Sequence, residues 1–217
     1  MEETYYRKKF VEFLAGGKKA HFVRKETILR TDVSQLIGYY FIKSGFVKVV
    51  SYTSSGNERI HYIYGPTDIF PIGWSFTRPY MTVAFVAMSG VSVLKRTMKE
   101  YDDFMRSEPF LITGIIPDII NMQLKSNDRI YNLNLDNAEA RVAHELLNFA
   151  IRFGVQHGEQ VTIDFPLTVQ ELADSVRLSR ESTGKILNNL EERGYIILGR
   201  RRILVYQDKL SKMLEGL

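Results

Sequence analysis

The chain has 217 residues, enough to bury two ordinary cores, and its 45% hydrophobic and 25% charged residues are those of a folded chain. It contains no cysteine, which excludes thiol catalysis, disulfides, cysteine-ligated zinc and iron–sulfur clusters. A net charge of +4 permits a polyanionic partner without requiring one.

The opening MEETYYRKKFVEF lacks the apolar run of a signal peptide, and no apolar stretch is long enough to span a bilayer. A cytoplasmic protein with no membrane partner is expected. The first element is an amphipathic helix over about Glu3–Leu14, stopped by Gly16-Gly17. From Ala20 to Lys95 six short runs rich in Val, Ile, Tyr and Phe follow: AHFVRK, LIGYYFIK, FVKVVSYT, RIHYIY, TVAFVAM and SVLKR. Turn residues such as Ser44-Gly45 and Ser55-Gly56-Asn57 separate them, a spacing that predicts an antiparallel roll, barrel or sandwich.

Helical patterning resumes at Met98–Met105 and again from Pro109 to Asn134, where Pro117 is expected to kink or restart the helix. Along the longer segment Ile112, Ile116, Ile119, Gln123, Ser126, Ile130 and Leu133 follow alternating steps of four and three, a coiled-coil-like seam. The same pattern fits a helix packed on its own roll. Gln123 and Ser126, polar in mid-seam, either fix register or touch a ligand. A further helix over Asp136–Phe153 ends at Gly154, and the domain boundary is placed near Asn134.

Thr168 and Glu171 have the spacing of a capping box, and Leu167 and Leu172 that of a hydrophobic staple, so a helix starts here. Its apolar face is Val169, Leu172, Ala173 and Val176. The chain then turns through Arg177-Leu178 to Ser179, an N-cap for a second helix, and the pair reads as a helix-turn-helix. In the second helix Ile186, Leu187 and Leu190 point inward. Arg180, Glu181, Lys185 and Asn188 remain outward, with Gly184 keeping that face low. Arg and Lys donate to guanine edges and Glu accepts from cytosine, so the face suits a major groove, although a solvated charged face has the same composition.

After Gly194, YIIL and RILVY read as a hairpin with Gly199-Arg200-Arg201 at its tip: a wing whose Arg200, Arg201 and Arg202 can neutralise phosphates. Between Val176 and Tyr206 seven Lys/Arg face three Glu, a local excess equal to the net charge of the whole chain.

SRESTGKILNNLEERGYI closely resembles the recognition helix of the CRP/FNR family of bacterial regulators, whose pattern is S-R-E-T-V-G-R-x-L-x-x-L-E. LTVQELADSVRL matches the family's first helix, and LDNAEARVAHELLNFA the segment before it. The resemblance implies an α+β chain in three parts. These are a β-roll like a cyclic-nucleotide-binding domain (1–108), a long dimerisation helix (109–134) and a winged helix-turn-helix (135–217). It also implies a homodimer that controls transcription from a pseudo-palindromic site on double-stranded DNA, with RNA polymerase as a partner if the protein activates. In this reading Arg180, Glu181 and Lys185 read bases, with Lys185 where the family commonly has Arg. Thr168, Gln170, Ser179 and Ser182 join the wing arginines on the DNA backbone. Lysine lacks the planar fork of arginine, so the preferred half-site is expected to depart from the family's TGTGA or TTGAT.

The sensory half departs further. Cyclic-AMP binders carry G-E-L followed by R-S or R-A, whereas the corresponding stretch here is FPIGWSFTRPYMTV, with Met81-Thr82 in place of Arg-Ser and no acidic residue. Arg78 meets a phosphate only if the loop is shifted. Cyclic AMP is therefore not expected, nor is haem, because His21, His61, His144 and His157 show no paired spacing. An effector pocket between roll and long helix would draw on Phe70, Ile72, Trp74, Arg78, Met81 and Thr82 with Gln123, Ser126 and Asn127; equally, these side chains fill core. No metal or catalytic residues are expected, since no nucleophile–base pairing, metal cluster or phosphate-binding glycine loop is present. The competing reading is an effector-binding or protein-interaction module that has lost sequence-specific DNA readout.

Overall fold

The computed structural model describes residues 2–30, 38–71, 82–108, 110–135, 137–163, 165–200 and 202–216. Contacts group the chain into two compact units: Met1–Asn57 with His61–Ser126, and Glu58–Ile60 with Asn127–Leu217.

The first unit opens with α1 (Glu2–Ala15), one residue longer at each end than its pattern predicts. Eight strands follow: β1 (Lys18–Phe22), β2 (Thr27–Arg30), β3 (Tyr39–Ser44), β4 (Val47–Tyr52), β5 (Glu58–Tyr64), β6 (Ile69–Phe70), β7 (Ala84–Ala87) and β8 (Val91–Arg96). They form two four-stranded sheets, in the orders β1-β8-β3-β6 and β2-β7-β4-β5. Gly45 and Gly56 take φ of +87° and +81° at the two tight turns, where a side chain would be strained. Strands β2 and β6 were not anticipated, being four and two residues long, too short for alternation to register.

Aromatic rings fill the interior of this roll. Phe70, fully buried, stacks between Tyr40 and Phe85 with centroids 5.1 Å away on each side, and Tyr64 leans on it at 5.6 Å. Ile42, Val47, Val91 and Val93 close the cluster. A second aromatic cluster seats α1 and α2 (Met98–Ser107), with Tyr39 stacked on Tyr101 at 4.0 Å and Phe13 on Phe104 at 4.1 Å. Thr97 and Glu100 form a capping box at the start of α2.

Helix α3 (Leu111–Leu133) runs without interruption past Pro117, so the expected restart does not occur. The missing proline N–H removes one rung of the ladder near the helix start, and the remaining turns continue.

The second unit comprises the end of α3, α4 (Ala138–Phe153), β9 (Gly154–His157), β10 (Gln160–Ile163), α5 (Val169–Val176), α6 (Arg180–Glu192), β11 (Ile196–Leu198), β12 (Ile203–Val205) and α7 (Gln207–Glu215). Asn137 caps α4 by accepting from the N–H groups of Glu139 and Ala140. The sheet order is β11-β12-β10-β9, so the wing hairpin continues a second hairpin turned at Gly158, φ +60°. Helix α4 packs on α5, α6, α7 and this sheet, burying Val142, Leu146, Phe149, Leu172, Leu190 and Val205.

Candidate nucleic-acid interface

Local sequence sets the helix-turn-helix. The Thr168 hydroxyl accepts from Glu171 N (3.1 Å), and the Glu171 carboxylate accepts from Thr168 N (2.8 Å) and Oγ1 (2.7 Å). Helix α5 ends when Arg177 takes the left-handed conformation (φ 59°); its N–H and that of Leu178 both donate to Ala173 O. The chain is thereby turned into Ser179, whose hydroxyl accepts from Ser182 N (3.0 Å) and starts α6.

Helix α6 is two-faced. Thr183, Leu187 and Leu190 are buried, while Arg180, Glu181, Lys185 and Asn188 are exposed on the other side. Lys185 Nζ lies 2.7 Å from Glu181 Oε1, one turn away. An exposed pair of this kind contributes little and exchanges readily, so both groups are available to a base edge. A Cβ added at Gly184 would meet nothing within 4 Å, which leaves an open notch in this face.

The backbone-contact candidates divide. The Thr168 and Ser179 hydroxyls each both donate and accept within their caps, Ser179 donating to Ser182 Oγ at 2.8 Å. Ser182 is the one of the three whose hydroxyl proton no described group takes. Gln170 is exposed and donates to Asp174 Oδ1 at 2.9 Å. In the wing, Arg200 and Arg202 are exposed and line an open surface depression with Gly199 and Leu204, whereas Arg201 lies outside the described residues. Arg193, counted with the basic set, is turned to structural use: it pairs with Glu139 at 2.5 Å, pinning the end of α6 to the start of α4.

The dimer-seam candidates lie on one stripe of α3 whose two edges differ in exposure. Ile116 and Ile130 are exposed, with Gln123. Ile119 instead packs against the Tyr39–Tyr101 cluster, and Ser126 and Leu133 are half-buried. The side chain of Ile112 lies outside the described set. Exposed Ile120, Leu124 and Tyr131, absent from the expected seam, share the open face with Ile116 and Ile130. Steps of four from Ile116 to Ile120 to Leu124 were the signal for them.

Of the effector-pocket candidates, Phe70 is core of the roll, Thr82 is exposed, and Asn127 is exposed on α3. Ile72, Trp74, Arg78 and Met81 lie outside the described residues. Among the described residues no cluster of potential metal ligands occurs, and no helix is long and apolar enough to cross a membrane.

Residues 19–108 match the model of the cyclic nucleotide-binding domain, and residues 140–213 that of the Crp-like helix-turn-helix domain. The chain is 27% identical over 166 residues to a CRP-like cAMP-activated global transcriptional regulator of Mycobacterium tuberculosis, covering 76% of this chain and 74% of that one. It is 25% identical over 196 residues to the cAMP-activated global transcriptional regulator CRP of Pasteurella multocida (89% and 92%). The solved structure of FixK2 from Bradyrhizobium japonicum has the same fold, with a TM-score of 0.75 at 17% identity over 90% of this chain and 96% of that one. With both domain models matched in order along one chain, and relatives that share this order over most of their length, the protein belongs to the CRP/FNR family of transcription regulators.

Proposed function

We propose that the protein is a sequence-specific regulator of transcription, not an enzyme, that binds a pseudo-palindromic site as a homodimer. The observation that carries this reading is the outward face of α6, where Arg180, Glu181 and Lys185 stand clear of a fully buried opposite face. Arg180 and Lys185 donate to guanine O6 and N7, and Glu181 accepts from cytosine N4. Arg200, Arg202 and Ser182 hold the flanking phosphates. The open apolar face of α3, from Ile116 through Ile120, Leu124 and Ile130 to Tyr131, is the surface that a second copy covers. It would set the two recognition helices into successive major grooves about 34 Å apart.

Cyclic AMP is not carried over from the relatives whose names include it. No carboxylate lies between Phe70 and Val83 to take a ribose hydroxyl, and the Phe70 ring fills the roll interior. If the protein activates, RNA polymerase is its further partner. The test is selection of binding sites from random DNA by the purified protein without added effector. A two-fold symmetric motif is expected. Binding that ignores sequence would instead support the interaction-module reading.

A further inference from the structure

The second unit holds a buried polar cluster that the DNA-contacting residues do not use. Arg129, one turn before the end of α3, points its guanidinium at the last turn of α5. Its Nη2 donates to Ser175 O at 2.8 Å and approaches Ser175 Oγ at 3.2 Å. It also donates to Ile60 O at 2.7 Å, in the short stretch that groups with this unit. Arg129 Nε stands 3.7 Å from Glu145 Oε1 on α4, with side-chain exposures of only 13% and 9%. The Ser175 hydroxyl donates to the same Glu145 oxygen, and Asn148 Nδ2 donates to the other at 3.3 Å. Three helices thus meet on one arginine and one carboxylate.

The chemistry of this meeting is directional. The carbonyl of Ser175 is one of the last in α5, where the helix leaves carbonyls without internal partners and where its dipole favours a cation. Arg129 supplies both the donor and the charge. Two residues on, Arg177 makes the left-handed turn that aims α6. Burying an ion pair is seldom the most stable use of a core site, since apolar side chains of similar size commonly do as well. What the pair adds over an apolar contact is a fixed placement of α3 against α5, because hydrogen bonds at these distances do not survive a slide of one helix along the other.

We propose that Arg129, through Ser175 and Glu145, is the positioning residue that fixes the recognition helix relative to the dimerisation helix, and so sets the half-site spacing the dimer accepts. This inference rests on the homodimeric, DNA-reading function proposed above. None of the three residues touches DNA in that reading.

The experiment uses the full chain and the symmetric site selected with the wild type. Affinity is measured on that site, on versions with one base pair inserted or removed at the centre, and on a single half-site. For Arg129→Gln, the preference for the selected spacing over its neighbours is expected to shrink by about fivefold or more, the lower end of coupling between linked sites, and for Ser175→Ala, which keeps the carbonyl that accepts from Arg129, by less. Affinity for the single half-site is expected to stay as in the wild type. A double variant, Arg129→Met with Glu145→Leu, separates placement from mere stability. It is expected to melt at or above the wild-type temperature and still to accept the wrong spacings. A double variant that regains the wild-type spacing preference would reduce the cluster to core filling and overturn the proposal, as would an Arg129→Gln variant that keeps it. If the wild type selects no symmetric site, the regulator reading itself fails, and this proposal with it, which is a distinct result from spacing preference surviving in the variants.

Discussion

The two units fill their interiors by different means. The roll is packed with stacked rings around Phe70, whose contacts are individually weak and add up through their number and buried area. The DNA-binding unit packs aliphatic side chains beside a smaller ring cluster, Phe149, Phe153 and Phe165, and threads them with directed polar contacts: Glu171 in its capping box, Glu145 under Ser175 and Arg129, and Arg193 on Glu139. The first arrangement makes a stable body. The second fixes where helices start, stop and point, which is what reading a groove demands.

The largest effect that sharpens this contrast is at Phe70. Phe70→Ala removes a fully buried ring and is expected to cost about 3–5 kcal/mol of stability in thermal or denaturant unfolding, while the sequence preference of the folded protein stays as it was. On the other side, Arg180→Ala is expected to leave stability alone and to cost about 1–3 kcal/mol on the selected site, with relaxed preference at one base position. A uniform loss across all sequences would make Arg180 a phosphate contact. Thr168→Ala removes the N-cap of α5 and is expected to cost about 1 kcal/mol of stability by denaturant titration. Arg200→Ala should weaken binding to every DNA alike and lower the slope of log affinity against log salt by about one.

The smallest effect concerns His144 on α4. Burial disfavours its imidazolium and holds its pKa below the usual histidine value. The unfolded chain therefore takes up a proton at higher pH than the folded one, and the stability from keeping the ring neutral is lost as pH falls below about 6.5. His144→Gln should flatten the pH dependence of the melting temperature between neutral and mildly acid pH; an unchanged slope would assign it to other groups.

The DNA-reading half was legible because its signals are local. Thr168 with Glu171, Ser179 before Arg180, and Gly194 after the helix each sit within a few residues of what they control. The hairpin of β9 and β10 went unread, although VQHGEQVTI alternates around Gly158, because it is short and follows the helix directly. The seam was harder for a different reason. Isoleucines at 115, 116, 119 and 120 make that stretch of α3 apolar on more than one face, so spacing alone cannot say which side turns to Tyr39 and Tyr101. The polar cluster was not legible at all. Arg129, Glu145 and Ser175 come from three separate helices, and charged residues on helices are by default read as solvent-facing.

Gly184 carries a consequence for any attempt to improve this protein in the laboratory. It lies in the middle of α6 with a helical backbone and open space where a methyl group would stand. Replacing it with alanine would stiffen the unfolded chain and favour the helix by about 0.5–1 kcal/mol, at no steric cost within the protein. A screen for heat resistance would enrich that change. The added methyl would stand on the same exposed face as Arg180 and Lys185, so under the proposed DNA-reading role a heat-selected Gly184→Ala variant is expected to bind its selected site more weakly, which a direct affinity comparison would check.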